Sequence, residues 1–169
     1  VRADVRFSFG DAEVEKALLR QEAALALEKM FQAAENANII LFAVSGYRSY
    51  KRQEEVFNAE VVKSGEEYAK SVVAIPGQSE HQTGLTMDIS AESVQFDLTE
   101  SFEHTAEGQW LAEHAHEYGF ILRYPKGKED ITGYSFEPWH FRYVGINFAK
   151  TIYEKQLTLE EYFEIVKEI

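Results

Sequence analysis

His81 and Asp88 stand seven positions apart around Gly84 in "SEHQTGLTMDIS" (79–90), in a chain with five histidines and no cysteine. With no thiolates, any metal centre here must be built from imidazole and carboxylate. A further pair of such groups lies far downstream in "EPWH" (137–140), where His140 follows Glu137 by three positions. Two nitrogens and one oxygen with a fourth position open are the donor set of a catalytic zinc ion, whereas closed structural sites use four protein ligands. A carboxylate beside such an ion can take the proton of a water whose pKa the ion lowers towards ~7, and Glu137 has that chemistry. Each residue also has a plainer reading. His81 and Asp88 fit a loop histidine and a strand aspartate bonded to backbone, and Glu137 fits a surface carboxylate ahead of a proline.

The elements around these residues decide whether they can meet. In 85–90, Leu85, Met87 and Ile89 alternate with Thr86, Asp88 and Ser90, predicting a half-buried strand whose polar face carries Asp88. In "WHFRYVG" (139–145), Trp139, Phe141 and Tyr143 take one face and His140 and Arg142 the other. If these strands are neighbours, one loop histidine and two strand residues converge. Pro138 makes a regular helix through Glu137 and His140 unfavourable, so a bend there aims both side chains into one cavity.

The remaining pattern alternates helices with short strands. A helix is expected over 11–35, with Leu18, Leu19, Ala23, Leu25, Ala26, Met30 and Phe31 near helical spacing and an N-cap region at Gly10-Asp11. "IILFAV" (39–44) reads as a buried strand, followed by a turn, "SGYRSY". Helices are expected over 51–63, 66–73 and 106–117, a strand over 119–124, and a loop over 124–138. Two short helices fill 146–169, the second opened by a Thr158/Glu161 capping box. The class is α+β: a small, mostly antiparallel sheet flanked by helices, with the metal site on a sheet face. His114 and His116 sit two apart, about 200° round a helix axis, and His104 lies in an acidic loop, so none of them pairs as a ligand.

Bulk properties narrow the function. The 169 residues suit one domain, 1–169, with a proper core. The net charge of −12, from 29 acidic and 17 basic residues, disfavours nucleic acid and anionic lipid as partners. No apolar run approaches the ~20 residues that cross a membrane. The sequence starts with Val rather than Met, and an export or anchor segment is expected ahead of it.

"SGYRSYKRQ", "SEHQTGLTMDI" and "YSFEPWHFRYVG" together resemble the VanY-type zinc D-alanyl-D-alanine carboxypeptidases, most closely the bacterial LD-carboxypeptidases of peptidoglycan. The family pattern S-x-H-x-x-G-x-x-x-D, then E-x-x-H, is met by Ser79, His81, Gly84 and Asp88, then Glu137 and His140. The resemblance implies that His81, Asp88 and His140 bind Zn2+ and that Glu137 is the catalytic base. It implies that Arg48 stabilises the oxyanion, a role suited to a permanently charged guanidinium. Gln53, Ser79 and Tyr124 match substrate-contacting positions, and Trp139 walls the pocket or packs the core.

The implied activity is removal of the C-terminal D-alanine from peptidoglycan stem peptides, with L,D cleavage of the tetrapeptide favoured. D,D cleavage of a pentapeptide ending in D-Ala-D-Ala is the alternative, because residue types do not reveal pocket shape. A catalytically silent zinc module that binds cell wall is the reading from another class, against which Glu137 and Arg48 both count. The expected setting is the outside of a bacterial cell envelope. A monomer is expected, with no membrane contact by this domain itself.

Overall fold

The computed structural model describes residues 5–10 and 14–167. Four strands among them form one antiparallel sheet: β1 (Phe42–Ser45), β2 (Thr86–Ser90), β3 (Phe120–Leu122) and β4 (His140–Tyr143), in the order β1-β2-β4-β3. The expected neighbours are therefore direct partners. Met87 pairs with Phe141 and Asp88 with His140 across β2 and β4. All five residues of β2 are buried, so it is not the half-buried strand its alternation predicts. Its position between β1 and β4 covers its edges, and His81 sits over the face that carries Asp88.

The apolar face of the sheet builds the main core. Ala43, Met87, Ile89 and Phe141 pack with Leu27, Met30, Phe31 and Ala34 of helix α1 (Gln21–Asn36), and with Leu111 of α4 (Ala106–His114). A smaller cluster joins Ile121 of β3 to Ala149 and Ile152 of α6 (Ile146–Lys155) and Leu159 of α7 (Leu159–Lys167). Between β1 and β2 lie α2 (Tyr50–Ser64) and α3 (Glu66–Val72); a single turn, α5 (Glu129–Thr132), interrupts the long loop before β4. The capping box of α7 forms as expected: Glu161 accepts from the Thr158 N–H at 2.7 Å, and the Thr158 hydroxyl accepts from the Glu161 N–H at 3.1 Å.

The first helix starts later than its periodicity predicts. Glu15–Ala17 form a 3-10 turn, Arg20 is the N-cap of α1, and Asp11 of the expected cap lies outside the described residues. The backbone here has other partners. The Lys16 and Leu18 carbonyls accept from the Gly46 and Tyr47 N–H groups at 2.7 and 2.9 Å, and the Arg20 N–H donates to Gly84 at 2.8 Å. Those cross-chain bonds hold Leu18 out of the helix and exposed, and Leu25 also faces solvent. Residues 16–20 thereby strap the two loops that carry Arg48 and His81.

β1 ends in a register shift between Ala43 and Ser45, which brings Ser45 opposite Asp88 and directs the chain over the site. The fully buried Phe141 is the centre of this arrangement, flanked by His140 on the opposite face. Phe141→Ala is expected to lower the unfolding free energy by about 3–5 kcal/mol, read as a fall in the urea midpoint with little change in slope.

Candidate metal centre and active site

Asp88 and His140 occupy directly opposed positions on one sheet face, and His81 approaches them from the 3-10 turn Glu80–Thr83. His81 Nε2 lies 3.3 Å from Asp88 Oδ2, and His140 Nδ1 lies 3.3 Å from Asp88 Oδ1. One ligand atom from each of the three lies within 4.8 Å of the others, and all three residues are buried. The two 3.3 Å separations run to different oxygens of Asp88, and three donors within 4.8 Å of one another leave room for one metal ion between them. Asp88 Oδ1 is buried with no hydrogen-bond partner in the protein, as a group awaiting a cation would be. The donor set of two imidazoles and a carboxylate therefore fits a divalent metal.

His81 is already oriented for this task. Its Nδ1 lies 2.7 Å from the Gly46 carbonyl, a bond in which Nδ1–H donates and Nε2 keeps its lone pair towards Asp88. Gly46 is the residue that permits the contact. A Cβ there would meet the Leu18 and Lys16 carbonyl oxygens at 2.7 and 2.9 Å, so the strap and the β1 exit close around a missing side chain.

Glu137 and His140 are joined by a turn, with the His140 N–H donating to the Glu137 carbonyl at 3.2 Å. The bend at Pro138 brings Glu137 Oε2 within 3.2 Å of His140 Nδ1, so the carboxylate does face the same point. Arg48 lines the same cavity. Its backbone N–H donates to the His81 carbonyl at 3.1 Å, and its guanidinium donates to Gln53 Oε1 at 3.0 Å and Ser45 Oγ at 3.1 Å. Gln53 is itself buried and donates to the Ala74 carbonyl at 2.7 Å. Its amide thus holds Arg48 in place as well as lining the cavity.

That cavity has a volume of about 230 Å³, and Arg48, Gln53, Ser79, Tyr124, Glu137 and Trp139 line it together with the three candidate ligands. Trp139 lines this cavity and also packs on the main core. Tyr124 is buried and its ring sits against those of Tyr134 and His140, with centroids 4.7 and 4.8 Å apart. A larger hollow of about 600 Å³ shares Arg48 and Val56 with it as lining residues.

The electrostatics favour positive charge at the candidate ligands. Burial would raise the pKa of Asp88, but His81 and His140 outweigh it and hold the carboxyl well below the usual range. Burial opposes a charge on His140, yet Asp88, Glu137 and Glu80 raise its pKa well above that of ordinary imidazole. Burial also pulls the Arg48 guanidinium down, against the raising pull of Asp88 and Glu137. It stays charged because a guanidinium starts so high. Burial, with Glu80, pushes the Tyr124 phenol far up, so its hydroxyl remains a proton donor.

Comparison with known proteins agrees with this geometry. The family model described as "D-alanyl-D-alanine carboxypeptidase" (VanY) matches residues 16–146. The chain belongs to the VanY family. Among curated VanY relatives, the carboxypeptidase YodJ of Bacillus subtilis (strain 168) is 57% identical over 98% of this chain and 60% of its own length. A D-alanyl-D-alanine carboxypeptidase of Enterococcus faecalis is 39% identical over 83% of this chain and 54% of its own length. The chain thus spans a little over half the length of these relatives. The solved structure of the LdcB LD-carboxypeptidase is 57% identical and superposes with a TM-score of 0.91, covering 97% of this chain and 76% of LdcB. VanYB in complex with D-alanine-D-alanine is 37% identical with a TM-score of 0.77, covering 86% of this chain and 82% of that one. Another VanY structure, 36% identical with a TM-score of 0.76 over 86% of this chain and 83% of its own, is a complex with Zn(II).

In this VanY-family chain the histidines set aside earlier stay apart from the site. His104 is exposed, His114 contacts Glu117 at 2.9 Å, and His116 stacks on Tyr153 with centroids 3.7 Å apart. Residue patterns alone missed Gly46, and missed Glu80, Arg123 and Arg142, which surround the far side of His140. Burial would raise Glu80, but His140, Arg123 and Arg142 hold it at about 2. Alternation places Arg142 on the face of His140, which is the one signal that was available. Gly46→Ala is expected to cost about 1–3 kcal/mol of stability, because the strap must move to admit the methyl group; a urea titration reads this as a lower midpoint.

Proposed function

We propose that this chain is a zinc carboxypeptidase that releases the C-terminal D-alanine from peptidoglycan stem peptides, with His81, Asp88 and His140 as the ligands. The observation that carries this is one cavity in which three convergent metal-ligating side chains share the lining with Glu137 and Arg48. A zinc ion, when bound, supplies Lewis acidity towards water and the scissile carbonyl.

The chain's own residues do the rest. Glu137 takes a proton from the attacking water as the water oxygen bonds to the amide carbon. Arg48, fixed by Gln53 and Ser45, faces the negative charge that develops on the carbonyl oxygen. As the carbon–nitrogen bond breaks, Glu137 returns that proton to the leaving nitrogen. The products are the shortened stem peptide and free D-alanine. Ser79 and Tyr124 offer hydroxyl donors to the terminal carboxylate, and Trp139 walls the recess. A recess of about 230 Å³ suits a single small leaving residue.

L,D cleavage of the tetrapeptide is the favoured specificity, supported by the similarity to LdcB over nearly the whole chain. D,D cleavage is the second reading, supported by the likeness to VanYB, whose structure holds D-alanine-D-alanine. We place the activity on the outer side of a bacterial envelope, with the domain acting as a monomer and touching neither nucleic acid nor membrane. No helix among the described residues is long and apolar enough to cross a bilayer.

Incubation with tetra- and pentapeptide stems, followed by mass spectrometry, tests the assignment. Loss of D-alanine from the tetrapeptide is expected, and a chelator is expected to abolish it. Release from the pentapeptide alone moves the specificity to D,D. Glu137→Ala is expected to slow release by about 10²–10⁴-fold, and unimpaired hydrolysis by that variant rejects the mechanism. Arg48→Ala is expected to lower kcat by about 10²–10³-fold, checked by steady-state kinetics on the same stem peptide.

A further inference from the structure

We infer that Glu80 is a positioning residue for the metal centre: its carboxylate accepts from His140 Nε2–H and so presents Nδ1 of that ring to the ion. This rests on the metal-centre reading above and adds a residue to it. Glu80 immediately precedes His81 and sits at the start of the same 3-10 turn, yet its side chain reaches to the other histidine.

The two oxygens of Glu80 are divided between two tasks. Oε1 accepts from Arg123 Nε at 2.8 Å and is ion-paired with Arg142 Nη1 at 2.9 Å. Arg123 is in turn held by Glu160 of α7, and Arg142 lies on β4 two residues beyond His140. Two guanidinium groups on one oxygen fix the carboxylate in place. The other oxygen, Oε2, is buried with no hydrogen-bond partner, and so is His140 Nε2. These two orphaned atoms face each other at 3.5 Å. Buried polar groups are seldom left unpaired, and a shift of a few tenths of an ångström satisfies both at once.

The consequence for His140 is a fixed tautomer. With the proton on Nε2 directed at Glu80, the lone pair of Nδ1 points to Asp88 and Glu137, where it lies 3.3 and 3.2 Å from their oxygens. A carboxylate behind a ligating imidazole orients the ring and raises its basicity, and loss of such partners typically weakens metal binding by about 10–100-fold. The two histidines are therefore supported differently. His81 leans on a neutral backbone carbonyl, whereas His140 leans on a charged side chain.

The test is a zinc-affinity measurement by competition with a chromophoric chelator, on the whole chain and two variants. Glu80→Gln is expected to raise the zinc dissociation constant by about 10–100-fold. Glu160→Gln, which removes the outer partner of Arg123 but leaves Glu80 facing His140, is expected to stay within about threefold of the parent even where it lowers the melting temperature. The inference is overturned if Glu80→Gln also stays within about threefold, or if both variants weaken zinc binding alike, since Glu80 would then be only a structural ion-pair hub. Should Glu80→Gln not fold, nitrogen-15 NMR of the unaltered zinc-loaded chain decides. His140 is expected to carry its proton on Nε2 and the metal on Nδ1, and metal on Nε2 overturns the inference. A parent chain that binds no zinc at all removes the metal-centre reading itself, an outcome distinct from equal affinity in parent and Glu80→Gln.

Discussion

The register between β2 and β4 is the constraint on which the candidate centre depends. Opposed residues in an antiparallel pair have Cβ atoms only ~4.5–5.5 Å apart, close enough for short side chains to share one small ligand. Pairing Asp88 with His140 uses that proximity directly. A slip of one residue would send one of them into the core and bring an apolar neighbour to the site. The opposite face guards against such a slip, because Met87 and Phe141 are fully buried there and a shifted strand would have to expose them. Core packing and site geometry are two sides of the same strand pair.

His81 has no such strand to fix it, and its placement relies on backbone contacts across the chain. The strap of residues 16–20 binds Gly46 and Tyr47 on one side and Gly84 on the other. Gly46 then offers its carbonyl to His81, and the His81 carbonyl receives the Arg48 N–H. A ligand, its orienting carbonyl and the cationic wall of the cavity are thereby locked into one set of loops. Burying this much polar surface is unfavourable unless it is paired, and nearly every group here has a partner. Among the exceptions, Asp88 Oδ1, His140 Nε2 and Glu80 Oε2 cluster at or just behind the point where the donors converge, and Thr86 Oγ1 lies two residues along β2 from Asp88.

Much of this was legible in the chain. Alternation in 85–90 and 139–145 assigned Asp88 and His140 to polar strand faces, and Pro138 marked the bend that turns Glu137 inward. The Thr158/Glu161 box forms as written. The start of α1 differs from the periodicity because Leu18 and Leu19 continue the apolar pattern, while the competing carbonyl acceptors and N–H donors lie 29 or more positions away. Glu80 was illegible for a related reason. An acidic residue beside a loop histidine looks the same whether it faces water or two arginines from β3's end and β4. Such a role depends on three segments meeting, and local pattern carries no record of that. Gly46 gave no warning either, since a glycine in a turn is ordinary until the strap that excludes its Cβ is seen.

The donor set has one further consequence, for chemical durability. Thiolate-based centres climb the sulfur oxidation ladder and lose their metal as they do so. Here the chain has no cysteine, and its three candidate ligands are imidazole and carboxylate, neither of which enters thiol–disulfide exchange. Zinc itself has no accessible redox change. A centre of this composition is indifferent to whether its surroundings are oxidising or reducing. Oxidation that turns a cysteine ligand into a sulfenic acid or a disulfide has no counterpart at these donors.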